Sequence, residues 1–154
     1  MASTQKVALR RARADERRAI EALQRAAYAR NRTLLGVEPL PLLVDYGEIL
    51  RTMETWVADG ASGIEGVLIL EPHPDHMLIW SIASDPSAQS KGLGGALLAA
   101  AEDRARALGL NEMRLYTGTV LTHLVDWYRR HGYSVSQIEQ LPDRSVTHMT
   151  KLLP

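Results

Sequence analysis

At 154 residues without a single cysteine, the chain can build one domain with a real core, but it has no disulfide framework, thiolate metal site or cysteine nucleophile. Its 18 basic and 18 acidic side chains cancel, which argues against a dedicated nucleic-acid binder. No apolar leader region and no long apolar span is visible, so the expected protein is soluble and cytoplasmic, with no membrane contact.

The charge is uneven along the chain. Lys6, Arg10, Arg11, Arg13, Arg17, Arg18, Arg25, Arg30 and Arg32 are opposed early on only by Asp15, Glu16 and Glu21. A solvated helix face with i,i+4 pairs such as Glu21–Arg25 accounts for this. Val7 to Arg13 alternates weakly and predicts an edge strand. Asp15 offers an N-cap, and Ile20, Leu23 and Ala27 predict one helix ending near Asn31. Two prolines make Gly36 to Pro41 a loop. Tyr46, Ile49, Leu50 and Met53 then recur at helical spacing. Thr55 to Ala58 predicts a strand and Asp59 to Gly63 a turn, and Gly66 to Leu70 with Met77 to Ala83 predicts a hairpin.

After the hairpin comes Asp85-Pro86-Ser87-Ala88-Gln89-Ser90-Lys91-Gly92-Leu93-Gly94-Gly95-Ala96, followed by an Ala/Leu-rich helix to Leu108 with Gly109 as its stop. A strand that feeds a glycine turn and then a helix presents free N–H groups and a positive dipole end to an anion. The P-loop pattern fails because Lys91 precedes the first glycine. The dinucleotide fingerprint fails because Leu97 replaces its third glycine. Glu112 to Tyr116 predicts a strand. Leu121, Leu124, Val125 and Tyr128 predict a helix to Gly132, and Tyr133 to Ile138 and Ser145 to Leu152 predict two closing strands.

Three segments carry a resemblance. Gln89-x-x-Gly92-x-Gly94 resembles the coenzyme A loop of the GNAT superfamily of N-acetyltransferases. Ser81-Ile82-Ala83-Ser84-Asp85-Pro86 resembles the strand end that precedes that loop. Tyr128-Arg129-Arg130-His131-Gly132-Tyr133 resembles the family's second signature. The resemblance implies a single α/β domain over residues 1–154, with its motif-bearing core at 64–139. Its expected architecture is a mixed, mostly antiparallel sheet of six to seven strands and about four helices, splayed between the fourth and fifth strands.

The implied activity is acetyl transfer from acetyl-CoA, a co-substrate, to an amine of a small molecule or peptide. By the resemblance, the backbone of Ile82, Ala83 and Ser84 meets pantetheine. Gln89, Ser90, Lys91, Gly92, Leu93, Gly94, Gly95 and Ala96 surround the pyrophosphate. Tyr128 lies beside the sulfur as general acid, although it also sits on an apolar stripe that core packing would explain. Leu121 stands where the family often has an Asn. The fourth strand has no glutamate, which leaves Glu71 as a weak candidate base beside a water chain. Tyr28, Asn31, Arg32, Tyr46 and Trp80 are candidates for the acceptor pocket, each equally readable as packing or surface. A homodimer is possible. His73, Asp75 and His76 read as a hairpin turn rather than a metal site. Two other readings stay open: a non-catalytic acyl-CoA-binding regulatory or interaction module, and a nucleotide-phosphate binder.

Overall fold

The computed structural model describes residues 7–154, and of 89–91 it describes the backbone only. Its strands are β1 (Arg10–Arg11), β2 (Glu54–Gly60), β3 (Gly63–Pro72), β4 (Met77–Ser84), β5 (Glu112–Gly118), β6 (Ser134–Gln140) and β7 (Ser145–Leu152). The helices are α1 (Arg17–Ala27), α2 (Ala29–Leu35), α3 (Tyr46–Thr52), α4 (Leu93–Ala107) and α5 (Thr122–Arg130). One seven-stranded sheet runs in the order β1-β2-β3-β4-β5-β7-β6. All neighbours are antiparallel except β4 and β5.

Two cores lie on opposite faces of this sheet. Ile20 and Leu23 of α1 and Tyr46 and Ile49 of α3 pack on Val57, Val67, Ile69 and Ala83. Leu97, Leu98, Ala101 and Ala105 of α4 pack on Leu68, Leu70, Met77, Ile79, Met113 and Leu115. Strand β4 serves both cores because its phase changes midway. Ile69 pairs with Ser81 and Leu70 with Ile79, so Trp80 is an extra residue. That bulge turns Ser81 and Ala83 toward α1, whereas Met77 and Ile79 face α4.

The expected first helix is in fact two. Tyr28, at φ −93° and ψ 3°, separates α1 from α2, and Gly36 in the left-handed region (φ 71°) ends the second. The expected edge strand shrinks to Arg10–Arg11. It is held by ion pairs rather than by length. Arg10 donates to both carboxylate oxygens of Glu16 at 2.9 and 2.8 Å, and to both of Asp59 at 2.7 and 2.9 Å.

The Arg10 guanidinium lowers the Glu16 carboxyl to about 2. A carboxyl depressed on folding stabilises above its unfolded value, and that stability is lost as pH falls through the folded one. Arg10→Met should therefore lower the melting temperature at neutral pH and shrink the acid-side loss between about pH 4.5 and 2. Melting curves against pH check this; parallel curves for the two proteins would mean that the pair adds nothing.

Candidate active site

The parallel pair β4–β5 is in register only at its start, Met77 with Met113 and Leu78 with Arg114. Beyond that point the strands part. The gap is the floor of a cleft of about 540 Å³. It is lined by Ile82, Ala83 and Ser84 on one side and by Leu115, Tyr116 and Gly118 on the other. Its walls come from α2, α5 and the turn between β6 and β7.

One end of the cleft is the glycine turn. Asp85 caps it, accepting from the Ser87 N–H at 3.0 Å. A two-turn 3-10 helix, Pro86–Lys91, leads to Gly92, whose left-handed φ of 74° redirects the chain into α4. Gly92, Gly94 and Gly95 line the cleft. A Cβ on Gly94 would meet only Trp127 at 3.7 Å, and one on Gly95 only His131 at 4.0 Å, both ordinary contacts. The fold therefore does not itself require glycine at 94 or 95, and what a side chain there would occupy is the cleft. Open space at a helix N-terminus suits an anion. Leu93 and Ala96 are buried beneath it, in and beside the core. The side chains of Gln89, Ser90 and Lys91 lie outside the described residues.

Besides Tyr116, two tyrosines face the cleft. Tyr128 of α5 packs edge-on to Trp127 and Tyr133, with ring centroids 5.0 and 5.8 Å away. Burial holds its phenol well above the usual range, and the nearby Tyr28 adds to this. Among the described residues, nothing hydrogen-bonds its hydroxyl. Tyr28 is held instead: its hydroxyl lies 2.9 Å from Ser81 Oγ. Gln24, fully buried, donates from Nε2 to Ser81 Oγ at 3.0 Å and to the Tyr46 hydroxyl at 2.9 Å. Tyr46 in turn donates to the Pro41 carbonyl at 2.7 Å.

The expected acceptor residues divide. Tyr28, Asn31 and Trp80 line the cleft, whereas Tyr46 and Arg32 do not. Tyr46 is 3% exposed and spends its hydroxyl on Gln24 and Pro41. Arg32 lies on the surface, paired with Glu38 at 2.8 Å. Glu71 is bonded to His73 at 2.7 Å and does not line the cleft either. Its charge is still felt there, because it adds to the burial that raises Tyr116. His73 stacks on His76 at 4.4 Å, and His76 bonds Asp75. Among the described residues, no group of three or more such side chains is placed to hold a metal ion.

The polar cleft residues that sequence reasoning missed include His123, Arg30 and Arg144. Burial lowers the His123 imidazole, and the Arg30 charge lowers it further, so it is neutral at physiological pH. Leu121 is the N-cap of α5 rather than part of its first turn, and its side chain fills the cleft wall.

A mixed sheet parted between its two parallel strands, with a glycine turn at the mouth of the gap, is the acetyltransferase architecture. The fold of the PaiA N-acetyltransferase from Thermoplasma acidophilum, solved in complex with coenzyme A, superposes with a TM-score of 0.76 at 15% identity, covering 96% of this chain and 99% of that one. The chain belongs to the acetyltransferase (GNAT) family, whose profile matches residues 21–133. Over 107 residues it is 29% identical to YvbK, an uncharacterized N-acetyltransferase of Bacillus subtilis, covering 69% of this chain and 68% of that one. Over 111 residues it is 32% identical to the mycothiol acetyltransferase of Cellulomonas flavigena, spanning 70% of this chain but 31% of that longer protein.

Proposed function

We propose that this chain transfers the acetyl group of acetyl-CoA to an amine of a small molecule or peptide. One observation carries the reading: the parted strands run into a glycine turn where an added side chain would occupy cleft space rather than collide with protein. Gly92 to Ala96 would take the pyrophosphate on backbone N–H groups, and Ile82 to Ser84 would take the pantetheine amides. The amine nitrogen attacks the thioester carbonyl carbon, and the carbon–sulfur bond breaks. Tyr128 keeps its proton at neutral pH and can give it to the departing sulfur. His123, neutral and cleft-lining, can take a proton from the acceptor ammonium.

Acetyl-CoA should raise the melting temperature. A ligand at about 100 times its Kd adds about 2.7 kcal/mol to stability. That is several degrees for a chain of this size, at about 2–4 °C per kcal/mol. NADH and ATP should do far less. Equal shifts from all three, or none from any, would remove the coenzyme from the reading.

The binding-module alternative has one observation behind it. Among the described residues, no Asp or Glu lines the cleft, so a carboxylate base is missing. Thiol release over a broad amine panel separates the two readings, because a module binds acetyl-CoA and releases none.

A further inference from the structure

The missing carboxylates also bear on the acceptor. Residues 1–6 and 89–91, whose side chains are not described, contain no acid either. The charged groups that do line the cleft are Arg30, Arg130 and Arg144, with neutral His123 beside Arg30. A polyamine or an oligocationic sugar would meet these arginines and find no carboxylate on the described lining. Resting on the acetyltransferase reading, we propose that the acceptor is an amine that also carries an anionic group, a carboxylate or a phosphate, on an apolar body.

The position of each arginine supports this. Arg130 belongs to the last turn of α5, close to the glycine end, where neighbouring Trp127 and His131 approach Gly94 and Gly95. It is therefore placed for the coenzyme. Arg30 and Arg144 sit at the other end. Arg30 is on α2, and Leu35 of that helix closes on the end of β5, so that a Cβ on Gly118 would come within 2.7 Å of it. Arg144 is in the β6–β7 turn, which the Thr119 N–H anchors by donating to the Ser145 carbonyl at 3.0 Å. Both cations thus belong to elements that converge on the end of β5.

Arg30 is not neutralised there, and Arg144 is only partly engaged. Arg30 has no ion pair among the described residues, and its charge is felt at His123. The Arg144 side chain is only 6% exposed. Asp143, itself 58% exposed, takes Nε and Nη2 at 3.1 and 3.0 Å. Nη1 meets no acceptor among the described residues, so half of a buried guanidinium fork remains for a ligand oxygen. Leu35, Leu40, Leu115 and Trp80 supply apolar wall to the same cleft.

Thiol release from acetyl-CoA, measured on matched amines, tests the proposal. The carboxylate arm compares phenylalanine with phenylalaninamide, and the phosphate arm compares phosphoethanolamine with ethanolamine; spermidine is the polycation. In one arm, kcat/KM for the anionic member should exceed its neutral partner by about tenfold or more, mostly through KM. The arm that shows it identifies the anion. The ratio should fall toward one in Arg144→Gln, and in Arg30→Gln, an exposed helix position that should fold whatever Arg144 does. A neutral amine or spermidine at or above the anionic partners, or an unchanged ratio in both variants, overturns the proposal. If no amine is acetylated, melting temperatures with coenzyme A present read the same preference: equal shifts within both pairs overturn it. Should acetyl-CoA itself leave the melting temperature unmoved, the acetyltransferase reading fails and takes this one with it. A shift with acetyl-CoA but no preference sinks the anionic acceptor alone.

Discussion

Tyr128→Phe should cut turnover by about a hundredfold or more, the range for a positioned general acid. The ring's edge-on contacts with Trp127 and Tyr133 do not involve the hydroxyl, so packing should survive the change. No hydrogen bond to the described residues is lost. Burial disfavours the phenolate, so the proton is in place at neutral pH, where the hydroxyl can donate to sulfur as charge develops on it. The loss should therefore fall on kcat more than KM, because the interaction strengthens as charge develops on sulfur. Steady-state kinetics with melting curves on the same samples decide it. Full turnover at unchanged stability would take Tyr128 out of the mechanism. Tyr28→Phe is the control, since Tyr28 faces the same cleft with its hydroxyl bonded to Ser81. A loss confined to that variant would move the acid role to Tyr28.

Gly94→Glu should abolish the stabilisation by acetyl-CoA. The protein has room for the new Cβ, 3.7 Å from Trp127. An acid in the first turn of α4 also suits the helix dipole, so the folded state should persist. The side chain would enter the cleft and put negative charge where an anion is expected. Gly92 would be a poorer test, because its φ of 74° strains any other residue whether or not a ligand binds. Circular dichroism and a thermal shift series measure both halves of the expectation. A folded variant that keeps the full acetyl-CoA shift would reduce Gly92-Leu93-Gly94 to a packing turn.

Element order was legible because it rests on local signals. Periodicity marked the helices, and the glycines marked α4, though α4 starts at Leu93, ahead of the expected Ala96. What escaped depends on distant partners. Arg25 to Leu35 contains nothing that forbids one helix, yet it breaks at Tyr28, whose hydroxyl meets Ser81 across 53 positions of chain. The run Met77 to Ala83 is apolar nearly throughout, so the phase change at Trp80 leaves no trace in its composition.

The site divides in the same way. Gly92, Gly94, Gly95, Ile82 to Ser84, Tyr128, Tyr28, Asn31 and Trp80 do come together around one cleft. Tyr46 and Arg32 do not, because Gln24, Pro41 and Glu38 claim their polar groups first. His123, Arg30 and Arg144 come from three separate segments with no shared motif. Only the fold brings them together.

The parted strands change how this sheet meets other chains. An open sheet has two rims of unpaired backbone, each a template for unwanted aggregation. The parting adds inner rims, since β4 from Ile79 to Ala83 and β5 beyond Arg114 have no strand register across the gap. The outer rims are defended in familiar ways: β1 has two residues, both arginine, and β6 carries polar side chains at all but two positions. The inner rims are defended by shape. Pairing at Met77 and Met113 makes the gap a pouch closed at one end, through which no polypeptide strand can pass. A slender molecule entering from the open end would still reach that backbone, which a strand laid across the whole sheet would not.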